Sequence, residues 1–183
     1  EILSQGSQPE LIQQHLPTVL DSVAHLTFDD KEPDKVIEMT SGEGELVPIS
    51  QNITVKAAGN VEDWLGNVVV GMQVTMKEIT MFASSDCSSL GLGDFVAKYP
   101  AQTALLGIQF NWTTDCEDAL ARCKTEKGAM SSMVKRQLGV MSELIEMTRQ
   151  DMSKMDRKKL ETMITIQVHQ KDTSGELMSK KIR

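Results

Sequence analysis

Aromatic side chains are scarce in this chain, at 4% of residues: one Tyr, two Trp and four Phe. A core built from it must rest mainly on aliphatic and methionine side chains. Cysteine is sparse as well. Cys87, Cys116 and Cys123 cannot all pair with one another, and none stands in the CxxC spacing of a zinc site, so reduced thiols of an intracellular compartment fit them best. No apolar run approaches the roughly 20 residues that a membrane span needs, so membrane insertion is not expected. A basic excess is also missing. Lys and Arg number 19 against 26 Asp and Glu, for a formal net charge of −7 and a pI near 5.0. The field of such a molecule repels a phosphate backbone, which makes nucleic acid a poor partner. The basic run Arg157-Lys158-Lys159, and Lys180-Lys181 with Arg183 at the end, read as solvated faces or a charge bias at a helix terminus.

Catalytic and ligand-binding patterns are lacking too. A phosphate-binding loop needs glycines that free backbone amides and a Lys that meets the phosphates, in the order GxxxxGK[ST], and nothing here matches. Gly91-Leu92-Gly93 has no third glycine and follows a polar loop rather than a strand, so it reads as a turn. His15, His25 and His169 contain no HExxH pair, and the ten residues between the first two do not give the three- or four-residue step of a helical ligand pair. No Ser or Cys sits in a GxSxG elbow. Glu43 with Glu45, and Asp115 with Glu117 and Asp118, offer oxygen ligands without the EF-hand order, and solvated acids are the stronger reading. Asn52-Ile53-Thr54 and Asn111-Trp112-Thr113 match the glycosylation pattern, which is short enough to arise by chance. No catalytic, cofactor-binding or metal-ligating residue is therefore assigned.

What is present is periodicity. At 183 residues a compact chain can bury roughly 70% of its unfolded surface, enough for a real core. Leu11, Ile12, Leu16, Val19, Leu20, Val23 and Leu26 recur at three- and four-residue steps and predict a first helix, kinked or divided at Pro17. Val36 to Ile49 then reads as two short extended runs flanking the Gly-rich turn Ser41-Gly42-Glu43-Gly44-Glu45, which predicts a small β-hairpin at 36–49. Asn60 reads as the N-cap of a second helix through Val61, Trp64, Leu65, Val68, Met72, Met76 and Ile79, fading near the polar cluster 84–89. Pro100 opens a third through Ala101 to Cys123. A fourth is expected from about Ala129 to Met152, about 36 Å long at 1.5 Å per residue. Asp156 reads as the N-cap of a last helix that is broken or weakened at Thr173-Ser174-Gly175. The fold class is mainly α, an elongated helical bundle with one hairpin. It is a single segment, 1–183, in which 1–58 holds a helix and the hairpin and 59–183 the bundle.

The stretch Gly91 to Glu117 holds the lone Tyr99 and one of the two Trp residues without any catalytic constellation, which suggests a mechanical part. Trp64 and Trp112 read first as core anchors. Many of the 12 methionines lie on the last two helices: Met130, Met133, Met141, Met147, Met152, Met155 and Met163. At helical spacing these are core filler before they are an adaptable partner surface.

Five segments in register then support a resemblance: Glu1-Ile2-Leu3-Ser4-Gln5, the hairpin Met39 to Val47, Gly59-Asn60-Val61-Glu62-Asp63-Trp64-Leu65, Tyr99-Pro100-Ala101-Gln102 through Trp112-Thr113-Thr114, and Ile164 to His169. From Glu1 to about Lys171 the chain resembles the dynein heavy chain, in the C-terminal part of the linker that precedes the first AAA+ module. The wording of residues 59–65 leans towards an axonemal heavy chain. The resemblance implies an α-helical rod with a small hairpin that arches over the AAA+ ring, moves the tail as ATP turns over, and leaves nucleotide chemistry to the ring. It implies no cofactor in this segment, with ATP and Mg in the ring of the parent chain. Its partners would be the ring and the remaining linker, the microtubule only through the parent motor, in the cytoskeleton of the cytoplasm or of a cilium or flagellum. The polar cluster 84–89 departs from the continuous helix expected there. The chain reads as an excised piece of something larger. Two other readings are a free-standing helical-bundle adaptor or scaffold module binding helical peptides, and an enzyme whose site is assembled from scattered residues.

Overall fold

A computed structural model describes residues 9–180. Glu1 to Gln5, Lys181 and Arg183 lie outside the described residues. The chain divides into two compact units, Glu1–Phe82 and Ala83–Arg183.

In the first unit the expected opening helix is divided, and it is shorter than its apolar stripe. Helix α1 (Pro9–Ile12), a tighter turn at Gln13–His15 and helix α2 (Leu16–Val19) follow one another, with Pro17 in the first turn of α2. Leu20 is already extended, and Ser22 takes a positive φ of 68°. Leu26 is therefore not on the helix. It lies on β1 (His25–Phe28), although it is buried in the same cluster as Ile12, Leu16, Leu20 and Val23. Burial of both segments in one core produced the three-residue step across a change of structure. Gln13 joins them. Its Nε2 donates to the Leu26 carbonyl at 2.7 Å and its Oε1 accepts from the Leu26 amide at 3.0 Å, completing that residue's backbone pairing as a neighbouring strand would.

The hairpin is present as β2 (Lys35–Thr40) and β3 (Leu46–Pro48), paired antiparallel with Met39 opposite Val47. Its turn needs one left-handed residue, and Gly44 supplies it at φ 89° without a Cβ penalty. Ser41 Oγ accepts from the amides of Glu43 and Glu45 and so ties off the turn. The hairpin belongs to a four-stranded antiparallel sheet, because β2 also pairs with β1 on its other side and with the two-residue β4 (Val55–Lys56). Both β1 and β4 escape a periodicity reading, being too short to show an alternation.

Helix α3 (Val61–Asp86) presents Val61, Trp64, Leu65 and Val68 to this apolar cluster, with Trp64 1% exposed. Val55 on β4 packs directly over the Cα of Gly71, where a methyl group would collide with its Cγ2. The helix runs on through Ser84, Ser85 and Asp86, so only 87–89 of the polar cluster leave it.

The second unit is helical. Gly91 caps α4 (Leu92–Lys98), which overturns the reading of Gly91-Leu92-Gly93 as a turn. Asp94 suits the first turn of that helix, and Phe95, Val96 and Tyr99 are buried. Seven residues are too few for a periodic signal. Pro100 caps α5 (Ala101–Arg122). Helix α6 (Ala129–Met147) ends earlier than Met152, where Thr148 Oγ donates to the Ile145 carbonyl. Helix α7 (Lys154–Ser179) is capped by Ser153 rather than by Asp156. Ser153 Oγ accepts from the Asp156 amide at 3.0 Å and donates to Asp156 Oδ2 at 2.7 Å, so Asp156 is the third-position partner of the cap. The helix passes through Thr173-Ser174-Gly175 unbroken, and Ser174 turns its hydroxyl back to the Gln170 carbonyl at 2.8 Å rather than out of the helix.

Candidate functional site

Among the described residues, no group of three or more His, Cys, Asp or Glu is placed to hold a metal ion. His15 lies on the turn after α1, His25 on β1 and His169 on α7, so the three imidazoles occupy separate elements. Asp115 is engaged by Arg136 Nη2 at 3.1 Å and by Gln137 Nε2 at 3.3 Å, while Glu117 and Asp118 are exposed on the helix beside it. Among the described residues the polar side chains gather into three fastenings.

The first holds the loop after β3. The Ser50 amide donates to Thr75 Oγ1 at 2.9 Å, Ser50 Oγ donates to Glu78 Oε2 at 2.5 Å, and Asn52 Nδ2 donates to Glu78 Oε1 at 2.7 Å. Thr75 and Glu78 lie three apart on α3 and face the loop together. The two donors, Ser50 foremost, hold the Glu78 carboxyl below the usual range. Asn52, one of the two glycosylation-pattern asparagines, thus has its amide nitrogen in use.

The second lies where α3 gives way to α4 and involves the residues of the conspicuous aromatic stretch. Asp86 Oδ2 accepts from Lys98 Nζ and from Tyr99 Oη, each at 2.6 Å. Lys98 also stands 5.3 Å from the centre of the Tyr99 ring, and that ring packs against Phe95 at 5.1 Å. Lys98, then Tyr99, lower the Asp86 carboxyl; the same Asp86 bond raises Lys98, and burial is the main influence that raises Tyr99. Next to it, Asn111 Nδ2 donates to the Cys87 carbonyl at 2.8 Å, so the second glycosylation-pattern asparagine is engaged as well.

The third runs through the helical core. Trp112 is half-buried on α5, and its Nε1 donates to Ser174 Oγ on α7 at 2.9 Å. Cys116 Sγ lies 3.8 Å from the same hydroxyl, and burial pushes its thiol up. Trp112 packs against the cluster of Cys116, Ala119, Met130 and Met133. Gln167 and Gln137, both buried, share a 2.6 Å bond between α7 and α6. Lys159 Nζ donates to the Tyr99 carbonyl. Met130, Met133 and Met163 are buried, whereas Met141, Met147, Met152 and Met155 are half-buried. The glutamines were not singled out by sequence. Their one signal is a polar residue at a position where the 3–4 step of α7 expects an apolar one.

These fastenings serve packing between elements. Comparison with known proteins places the chain in a family. Residues 1–83 match the family model described as "Dynein heavy chain, N-terminal region 2", and that match ends next to the division between the two units. Curated relatives extend over both units. The chain is 39% identical to dynein axonemal heavy chain 5 of Rattus norvegicus over 97% of its own length and 5% of that protein. It is 37% identical to dynein axonemal heavy chain 8 of Homo sapiens over 100% of its length and 4% of that protein. It is 36% identical, with the same coverage, to the dynein gamma chain of the flagellar outer arm of Chlamydomonas reinhardtii. The chain belongs to the dynein heavy chains and corresponds to a segment of their N-terminal region. It spans 4–5% of the length of the relatives it matches.

Proposed function

We propose that this chain is the part of a dynein linker that lies ahead of the first AAA+ module, a lever without catalysis of its own in an axonemal microtubule motor. The observation that carries the reading is the similarity to axonemal heavy chains along the whole chain, through both units and every long helix. Its composition suits the role. A lever transmits force only if its helices are stiffened by neighbours, because an isolated helix is marginal in water. Here α3 and α5 to α7 each bury a face, and side-chain fastenings tie loop to helix and helix to helix. The ring of the parent chain would bind ATP and Mg and supply the energy. Each nucleotide state would move the lever only by the difference in its affinity for alternative lever positions. Its partners would be that ring and the rest of the linker, with the microtubule reached through the motor and the axoneme as its location.

The parent transcript tests the placement. A GxxxxGK[ST] loop a short distance downstream, followed by further AAA+ modules, is expected, and an unrelated domain there would sink it. Calorimetry of the chain with ATP and Mg²⁺ is expected to give no heat of binding, and micromolar affinity would move the reading towards an enzyme.

A further inference from the structure

The buried face of α7 is half polar. From Leu160 it continues as Met163, Gln167, Gln170 and Ser174, all of them buried. Gln167 is 0% exposed and gives its Nε2 to Gln137 Oε1 on α6. Gln137 is held ready for it, since its own Nε2 is directed to Asp115 Oδ2, while Arg136 Nη2 grips Oδ1 of the same carboxylate. Gln170 stands three residues further on the same face, 3% exposed, and its Oε1, like that of Gln167, has no hydrogen-bond partner among the described residues. Two buried glutamines thus stand three residues apart on α7, and α6 offers one prepared glutamine.

We infer that Gln137 selects the register of α7, and that Gln170 provides a second register one turn away, in which it replaces Gln167 as the partner. Three residues of α-helix correspond to about 4.5 Å of slide. In the second register Met163 takes the place of Leu160 and Ile166 that of Met163, so those two sites stay apolar, while Thr173 takes the place of Gln170, Leu177 that of Ser174 and Lys180 that of Leu177, which packs against the apolar cluster. The bonds given up are those of Ser174 with Trp112, Lys159 with the Tyr99 carbonyl, and Arg157 with the Thr148 carbonyl. The slide carries the start of α7 past the end of α6. The connection 148–153 can follow it, because six residues reach about 20 Å when extended. Packed helices change register in such whole turns because intermediate positions lose side-chain fit. This selector acts inside the helical unit and stands whether or not the segment is a lever.

Double electron–electron resonance on the full chain tests it, with spin labels carried by p-acetylphenylalanine at the exposed positions Glu143 and Asp172 so that the native thiols are spared. Gln167→Met keeps the side-chain volume and leaves Gln170 as the remaining partner. Its label separation is expected to shorten by about 4 Å, the axial travel of a one-turn slide. Gln170→Met is expected to keep the separation of the unsubstituted chain. Gln137→Met removes the selector and is expected to spread the separations over both values. An unshifted single separation in Gln167→Met with its helical circular dichroism retained overturns the inference. Should that variant unfold, a single unshifted separation in Gln137→Met does so.

Discussion

The two units solve the same packing problem with different chemistry. In the first, a sheet and the start of α3 enclose Ile12, Leu16, Leu26, Val36, Val55, Trp64 and Val68, and among its described residues Thr75 is the buried polar side chain. In the second, Thr103, Gln137, Lys159, Gln167, Gln170 and Ser174 are all buried among helices. A sheet carries its own register in its backbone ladder, so side chains there need only fill space. Parallel-sided helices have no such ladder, and a stripe of interchangeable apolar groups lets them slide. Buried polar pairs supply the missing register at a cost in stability. The first unit is therefore the tighter one and the second the more particular one.

The sharpest way to break that comparison is to remove one tryptophan from each unit. Trp64 is 1% exposed within an apolar cluster, so Trp64→Ala is expected to cost about 3–5 kcal/mol. Trp112 is half-buried and holds one hydrogen bond, and Trp112→Ala is expected to cost less, about 2 kcal/mol. Urea unfolding followed by far-ultraviolet circular dichroism measures both. A larger loss at Trp112 would reverse the assignment of the tighter core.

A second pair probes stiffness through glycine. Adding a methyl group at Gly71 drives it into Val55, a β-branched side chain with one comfortable rotamer on a two-residue strand. At Gly107 the new Cβ would lie 2.5 Å from Phe95 Cζ, the far end of a ring that can tilt away. Alanine also gains about 1 kcal/mol of helix propensity over glycine at each site. The balance is expected to leave Gly71→Ala destabilised by about 2 kcal/mol and Gly107→Ala by about 1 kcal/mol or less. Equal values from the same urea titration would mean that the two cores yield alike.

How far these features were legible in the sequence follows the same division. The long helices are plain because α3, α5 and α6 repeat an apolar face over several turns and α7 does so in its first half. The hairpin is plain because Gly44 sits where a left-handed residue is needed. Strands β1 and β4 and helix α4 are not, since four, two and seven residues carry too little pattern. Leu26 was drawn into the wrong element because burial spacing continues through a turn that Ser22 makes. The polar seam was hidden for another reason. A periodicity argument counts Gln167, Gln170 and Ser174 as breaks in the face, and only the arrangement in space shows that Gln167 meets Gln137 on α6 and Ser174 meets Trp112 on α5. Ser174→Ala tests that these partners matter. It leaves the Trp112 indole N–H unpaired, and a loss of about 1–2 kcal/mol is expected, against almost nothing for the exposed Thr162→Ala on the same helix.

The smallest effect concerns the acid at the end of α3, and its sign can be stated. Lys98, then Tyr99, hold the Asp86 carboxyl below its ordinary 3.8 in the folded chain. A carboxyl whose folded value is depressed contributes its stability fully above its unfolded value and loses it as the pH falls through the folded one. Stability from this group should accordingly decline below about pH 4, where the unfolded chain takes up the proton first. Lys98 has the opposite dependence. The Asp86 bond raises it above 10.5, so its share is present at lower pH and lost as the pH climbs through the raised value. Asp86→Asn removes both ends at once. Its urea midpoint, compared with that of the unsubstituted chain, should differ most between pH 5 and 9, and the gap should narrow as the pH falls towards 2.5. The gap should also narrow in high salt, because Lys98 is more than half exposed and its attraction is screened. A gap that persists unchanged at pH 2.5 would show that Asp86 acts through the shape of the turn, by its bond to Tyr99, rather than through its charge.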